Sequence, residues 1–141
     1  MERELETTLF EKYPKIFRQK DLSKQETAMC WGIACGDGWY NIIDTLCQGI
    51  QSHVKWKNEI IEERKKTLVP TPSQELICEA SQVKEKFGGL RFYYDGGDEV
   101  ISGMVRFAEA MSYKVCEWCG NPASLEYGRR AQTRCKKCRN I

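Results

Sequence analysis

The strongest constraint on this chain is a pair of cysteine turns in its last quarter. Cys116-Glu117-Trp118-Cys119 and Cys135-Lys136-Lys137-Cys138 are separated by fifteen residues, giving C-x2-C-x15-C-x2-C. That is the spacing of a four-thiolate zinc site. Each Cys-x2-Cys turn aims two sulfurs at one ion, and a spacer that folds back completes the tetrahedron. A segment this short buries too little apolar surface to order itself. A structural zinc ion contributes roughly 10–16 kcal/mol in peptides of this kind, enough to do so. The competing reading, unrelated cysteines or two disulfides, does not account for the regular spacing. With thiolate at all four positions no place is left for a water. One Zn2+ per chain is therefore expected as a staple rather than a reaction centre. Gly120, directly after the first turn, suits the left-handed backbone that points N–H groups at the sulfurs. Residues 123–127 and 130–133 read as a short hairpin around Gly128.

The rest of the composition bounds the setting. At 141 residues the chain fits one body with a small appendage. No apolar run approaches the ~20 residues of a membrane helix. The charged start, Met1-Glu2-Arg3-Glu4, has no apolar stretch behind it, so neither a membrane span nor a secretory leader is expected. In the cytoplasm, the compartment this implies, eight cysteines read as metal ligands and buried thiols before disulfides. Net charge is +2 but unevenly placed: from Lys114 onward seven residues are basic and two acidic, whereas residues 1–113 carry fifteen basic and eighteen acidic. Arg129, Arg130, Arg134, Lys136, Lys137 and Arg139 fall within eleven residues that contain no acid. Such a strip suits the phosphates of nucleic acid. It would equally offset the charge of a metal–thiolate centre.

Residues 1–113 read as an α+β body. A helical segment covers 1–20, with Leu5, Leu9, Phe10 and Tyr13 on one face before Pro14 interrupts it. Ser23-x-x-Glu26 has capping-box spacing and predicts a short helix through Met29. In Gly36-Asp37-Gly38, Asp37 is placed to cap a long helix over about 38–65. Trp39, Ile42, Ile43, Leu46, Ile50, Val54, Ile60 and Ile61 form its three-to-four stripe. Leu68 to Pro72 reads as a loop, since its two prolines end helices.

A β-hairpin follows over about 76–95. Leu76, Cys78 and Ala80 alternate, then Val83 and Phe87 do, and the change of parity predicts a bulge near Ser81-Gln82. Gly88-Gly89 predicts the turn, pairing Phe87 with Leu90, Glu85 with Phe92 and Val83 with Tyr94. Glu85 is then a misfit carboxylate on the apolar face. Lys86 opposite Arg91 is unfavourable unless an anion lies near. Asp98 is placed to cap a helix over about 98–113, with Val100, Ile101, Met104, Ala108 and Met111 buried and Glu99, Ser102, Arg106 and Glu109 facing water.

Few residues offer chemistry beyond this. Lys84, Lys86 and Arg91 on the hairpin are a second candidate anion site beside Arg129, Arg130, Arg134, Lys136 and Lys137. Cys30, Cys35, Cys47 and Cys78 are irregularly spaced and read as buried free thiols rather than a second metal site. Cys47 and His53 diverge around the long helix, which argues against a thiol nucleophile and its base. Gly36-Asp37-Gly38 offers backbone N–H groups to an anion, but Asp37 would repel one and capping needs no ligand. Trp31, Trp39, Tyr93 and Tyr94 read as core aromatics before stacking surfaces. A hydrolase acting through Asp37 or Glu85 ranks last, since no nucleotide loop, zinc-protease motif or nucleophile elbow is present.

Three stretches carry a resemblance: Cys35 to Cys47 with Gly36-Asp37-Gly38-Trp39 at its start, Val83 to Tyr93 with Lys84-Glu85-Lys86-Phe87-Gly88-Gly89-Leu90-Arg91, and Cys116 to Gly120. Their order resembles a family of small proteins found in bacteriophages and bacterial genomes. The resemblance covers about residues 35–140 and leaves the N-terminal helix outside. It implies a phage or prophage setting, in the cytoplasm of a bacterial host. Small proteins there often antagonise host defence by binding a host protein or sequestering a signalling nucleotide. The sequence as a whole predicts an α+β fold, a small antiparallel sheet or hairpin packed on helices, with a C-terminal zinc ribbon over 114–141. It predicts a binding protein rather than an enzyme. The expected ligand bears phosphate, as nucleic acid or nucleotide; a host protein is the alternative partner, and no membrane is involved.

Overall fold

The computed structural model describes residues 1–67 and 74–139; the loop expected at Leu68 to Pro72 lies outside the described residues. The architecture is α+β. Helix α1 covers Arg3–Lys12, α2 Tyr40–Lys65 and α3 Glu99–Ser112, with a single-turn α4 at Lys136–Arg139. Strands β1 (Ile33–Ala34), β2 (Cys78–Lys86) and β3 (Gly89–Gly96) form one sheet in that order; β4 (Ser124–Tyr127) and β5 (Ala131–Arg134) form the ribbon's hairpin. The pair β2–β3 is antiparallel as expected, and β1 adds a parallel edge of two residues, too short to show a period in sequence.

Helix α2 is the beam on which the body packs. Its buried face, Ile43, Leu46, Cys47 and Ile50, together with Trp39 just before it, meets Leu9 and Phe17 from the N-terminal segment. Val83, Leu90 and Phe92 come from the sheet, and Ile101 and Val105 from α3. The N-terminal segment is not one helix over 1–20. It ends at Lys12, ahead of Pro14, and a separate 3-10 turn occupies Arg18–Asp21. The Tyr13 hydroxyl ties α1 to α2 by donating to Asp44 Oδ1 at 2.6 Å. The Ser23/Glu26 box forms, the Ser23 N–H and hydroxyl both donating to Glu26 Oε2 at 3.0 Å, yet it closes a turn and no α-helix follows; Met29–Trp31 is a 3-10 turn. Asp37 does not cap α2. Its carboxylate accepts the Glu2 N–H at 2.7 Å, tying the start of α1 to the start of α2.

The hairpin has its bulge between Ala80 and Gln82, but its register differs from the expected one by two residues: Val83 pairs Phe92, Lys84 pairs Arg91, Glu85 pairs Leu90 and Lys86 pairs Gly89. A shift of two keeps every side chain on its face. It moves the turn to Phe87-Gly88, at φ +52° and +84°. Both central residues are left-handed, as a type I′ turn requires. Gly89 is excluded from the turn because it is needed in the strand, where a Cβ would collide with the Tyr113 ring. The misfit Glu85 has its explanation here: its Oε2 accepts the Gly88 N–H at 2.8 Å and holds the turn.

Asp98 caps α3, accepting the Ile101 N–H at 3.0 Å. The buried stripe of α3, however, is Ile101, Val105, Ala108 and Ser112, while Val100 and Met111 are exposed. The helix is turned because it seals the open edge of β3. The Leu90 N–H donates to Ser112 Oγ and the Phe92 N–H to Glu109 Oε2, both at 2.9 Å. The opposite edge is treated alike, with the Ile33 N–H on Glu6 Oε2 at 2.8 Å. A polar residue that satisfies a strand edge thus outweighs an apolar one that would only have filled space.

Candidate metal centre and cationic hairpin

The ligand sulfurs of Cys116, Cys119, Cys135 and Cys138 lie within 4.8 Å of one another, and all four residues are free cysteines. The disulfide reading therefore falls. A metal–sulfur bond of about 2.3 Å in a tetrahedron separates sulfurs by about 3.8 Å; Cys119 Sγ and Cys135 Sγ are 3.6 Å apart. Gly120, at φ +80°, turns the first knuckle as expected. Burial works against charging Cys116, but backbone N–H groups of Cys135, Cys119 and Trp118 outweigh it and bring the thiol down to about 6. The Cys138 N–H brings Cys135 down in the same way. The Asn121 N–H also serves Cys119, but burial and the neighbouring thiols leave that thiol raised, and burial with the same neighbours pushes Cys138 up to about 12. Four clustered sulfurs with N–H donors aimed at them fit a tetrahedral thiophilic metal ion.

The knuckle is seated on the body through close backbone contacts. The Gly38 N–H donates to the Glu117 carbonyl at 2.7 Å. A Cβ at Gly38 would be driven into the Cys116 carbonyl, and one at Gly36 into the Glu117 carbonyl. Gly36-Asp37-Gly38 is therefore a seat for the metal knuckle; the Gly38 N–H is already used and is not offered to an anion. Trp39 extends the seam, its indole N–H donating to the Val115 carbonyl at 2.8 Å. A second contact joins the two hairpins. The Thr133 hydroxyl donates to the Gly88 carbonyl at 2.6 Å, and Leu125 packs on the same glycine. Nothing in the sequence pairs these residues in advance, since each contact spans distant segments.

The cations divide into held and free. The Arg134 guanidinium lies 3.5 Å from the centre of the Trp118 ring, a stacked cation–π contact. Arg139 pairs with Glu126 at 2.6 Å. Arg129 and Arg130 stand exposed at the hairpin tip. These four arginines line a groove of about 270 Å³, with Glu126 in its wall. Lys136 and Lys137 are exposed on α4, away from that groove. On the body's hairpin, Arg91 is tied down: its guanidinium donates to the Tyr113 hydroxyl at 3.0 Å and to the Leu90 carbonyl at 2.9 Å. Lys84 is half-buried opposite it, and only Lys86 is exposed, 5.6 Å from the Phe87 ring. Lys86 thus sits next to the Phe87-Gly88 turn that meets the ribbon.

The remaining candidates are structural. Cys35, Cys47 and Cys78 are buried, and burial pushes all three thiols up, Cys35 and Cys78 to about 12. Among the described residues they form no second metal group. His53 turns to Asp98 at 2.7 Å, fastening α2 to the start of α3. Asp37 and Glu85, the two carboxylates considered for hydrolysis, each hold a backbone N–H. Trp39 is in the core and Tyr94 is half-buried against that core, whereas Trp31 and Tyr93 are 73% and 42% exposed, against the expectation for both. Among the described residues no helix is long and apolar enough to cross a membrane. Comparison with protein-family models, with curated proteins and with solved structures finds no match for this chain.

Proposed function

We propose that the protein is a binding module whose ribbon, stapled by a structural zinc ion, presents cations to a phosphate-bearing polyanion. The observation that carries this reading is the groove of Arg129, Arg130, Arg134 and Arg139 on the metal-held hairpin. Arg134 is pre-oriented by Trp118, and a stacked guanidinium keeps its edge donors free for phosphate. The metal's part is to hold the knuckle that carries Trp118. All four sulfurs are taken up by the ion, so the chain supplies no catalytic step there. The test is binding of labelled oligonucleotides across a salt series. Affinity should fall steeply with salt, and Arg129→Glu with Arg130→Glu should weaken binding at least about tenfold at low salt. Salt-insensitive binding, or none at low salt, counts against the reading. Elemental analysis should return one zinc per chain.

A second reading, a protein-binding inhibitor of a host or defence factor, has its own support in α3. Val100 and Phe107 are 50% and 69% exposed on the side of that helix away from the sheet. Phe107→Glu should then abolish a complex with a host protein while leaving oligonucleotide binding unchanged.

A further inference from the structure

We propose that Phe87 and Tyr127 are base-stacking residues, and that the polyanion is a single strand of nucleic acid crossing the seam between the β2–β3 turn and the ribbon's hairpin. This rests on the polyanion reading above and specifies its ligand. Phe87 is the one non-glycine residue with positive φ among the described residues, at +52°, and its ring is 71% exposed. Left-handed backbone is unfavourable for a residue with a Cβ. An exposed phenyl ring gains nothing from burial. Asn or Gly would make the same turn without either disadvantage. A residue unfavourable to the fold on both counts is accounted for by what it presents to the outside.

Tyr127 is the matching ring, 84% exposed and paired with Ala131 across the ribbon's hairpin. Strand alternation puts it on the same face as the Leu125–Thr133 pair. That pair is what touches Gly88, so Tyr127 stands on the face of the ribbon's hairpin that meets the Phe87-Gly88 turn. Cations alternate with them: Lys86 beside Phe87, Arg129 and Arg130 just beyond Tyr127. Rings that accept the face of any base, set among cations that accept phosphate, are the arrangement of sequence-tolerant single-strand binders. A duplex keeps its bases stacked on one another and offers the rings nothing. A mononucleotide reaches one ring only.

The experiment is fluorescence anisotropy of the full-length, metal-loaded protein with oligo-dT, oligo-U, a matched duplex and a mononucleotide. Either single strand should bind at least about tenfold tighter than duplex or mononucleotide. Phe87→Gly and Tyr127→Ser should each weaken single-strand binding by roughly 5- to 100-fold. The slope against salt should not change, and the Tm of Phe87→Gly should be equal to or above that of the parent. Equal affinity for duplex, parental affinity of Phe87→Gly, or a lowered Tm in that variant would overturn the stacking proposal while leaving the polyanion reading in place. If Arg129→Glu with Arg130→Glu has no effect on affinity, both fall.

Discussion

Among the described residues, twenty buried apolar side chains make one cluster in the body, whereas the ribbon's own core is three cysteines with Ala123 against them. The two regions meet the same requirement by different physics. The body offsets chain entropy with burial spread over α1, α2, α3 and the sheet. The ribbon has almost no apolar surface to bury and relies on four sulfurs and a seam of backbone contacts. The difference explains where each can carry exposed charge and exposed rings. A hairpin whose base four clustered sulfurs can fix to one metal ion needs no apolar face of its own, so it is free to display Tyr127 on a strand and Arg129 and Arg130 at its tip.

Removing the metal should break the comparison most visibly. A strong chelator withdraws on the order of 10 kcal/mol of apparent binding energy from the ribbon. Amide exchange over residues 114–139 should rise to the level of an open chain, while α2 and α3 keep their protection; equal loss in both regions would show that the body depends on the ion. Gly38→Ala probes the seam alone. With a Cβ forced into the Cys116 carbonyl, the knuckle must lift, at a cost of about 3 kcal/mol in chemical denaturation. Zinc content should stay at one per chain, because the four ligands are untouched.

A smaller effect is expected within the body. Asp98→Ala removes the α3 cap and the partner of His53, costing about 1 kcal/mol at neutral pH. Burial raises the Asp98 carboxyl, but the bonds from His53 and the Ile101 N–H outweigh it and hold it below its ordinary 3.8. A depressed folded-state value stabilises above the ordinary one and stops doing so as pH falls through the folded one. The gap between parent and variant, followed by helical circular dichroism, should therefore narrow as pH falls below 3.8.

What could be read in advance was whatever a single segment decides. The cysteine spacing, the Asp98 cap, the bulge at Ser81 and the stripe of α2 are local patterns with local causes. The misreadings share a different origin. Gly89 looked like a turn residue and is a strand residue, because Tyr113 lies over it. Gly36 and Gly38 looked like helix-start residues and are a seat for backbone nearly eighty positions later in the chain. Glu85 looked misplaced until Gly88 was seen to need an acceptor. Val100 and Met111 fitted the apolar period of α3, yet Ser112 and Glu109 decided its rotation by serving β3. In each case a distant polar or steric demand overrode a pattern that was correct for the isolated segment.

The sealed sheet has a consequence for recognition. With β3 closed by Ser112 and Glu109 and β1 by Glu6, the main-chain donors at Leu90, Phe92 and Ile33 are already taken. A peptide or a second copy of the chain therefore finds no ladder at these positions to extend by strand addition. Whatever this protein binds at the sheet must be told apart by its side chains, through charge and ring faces, and not by the backbone's own grammar.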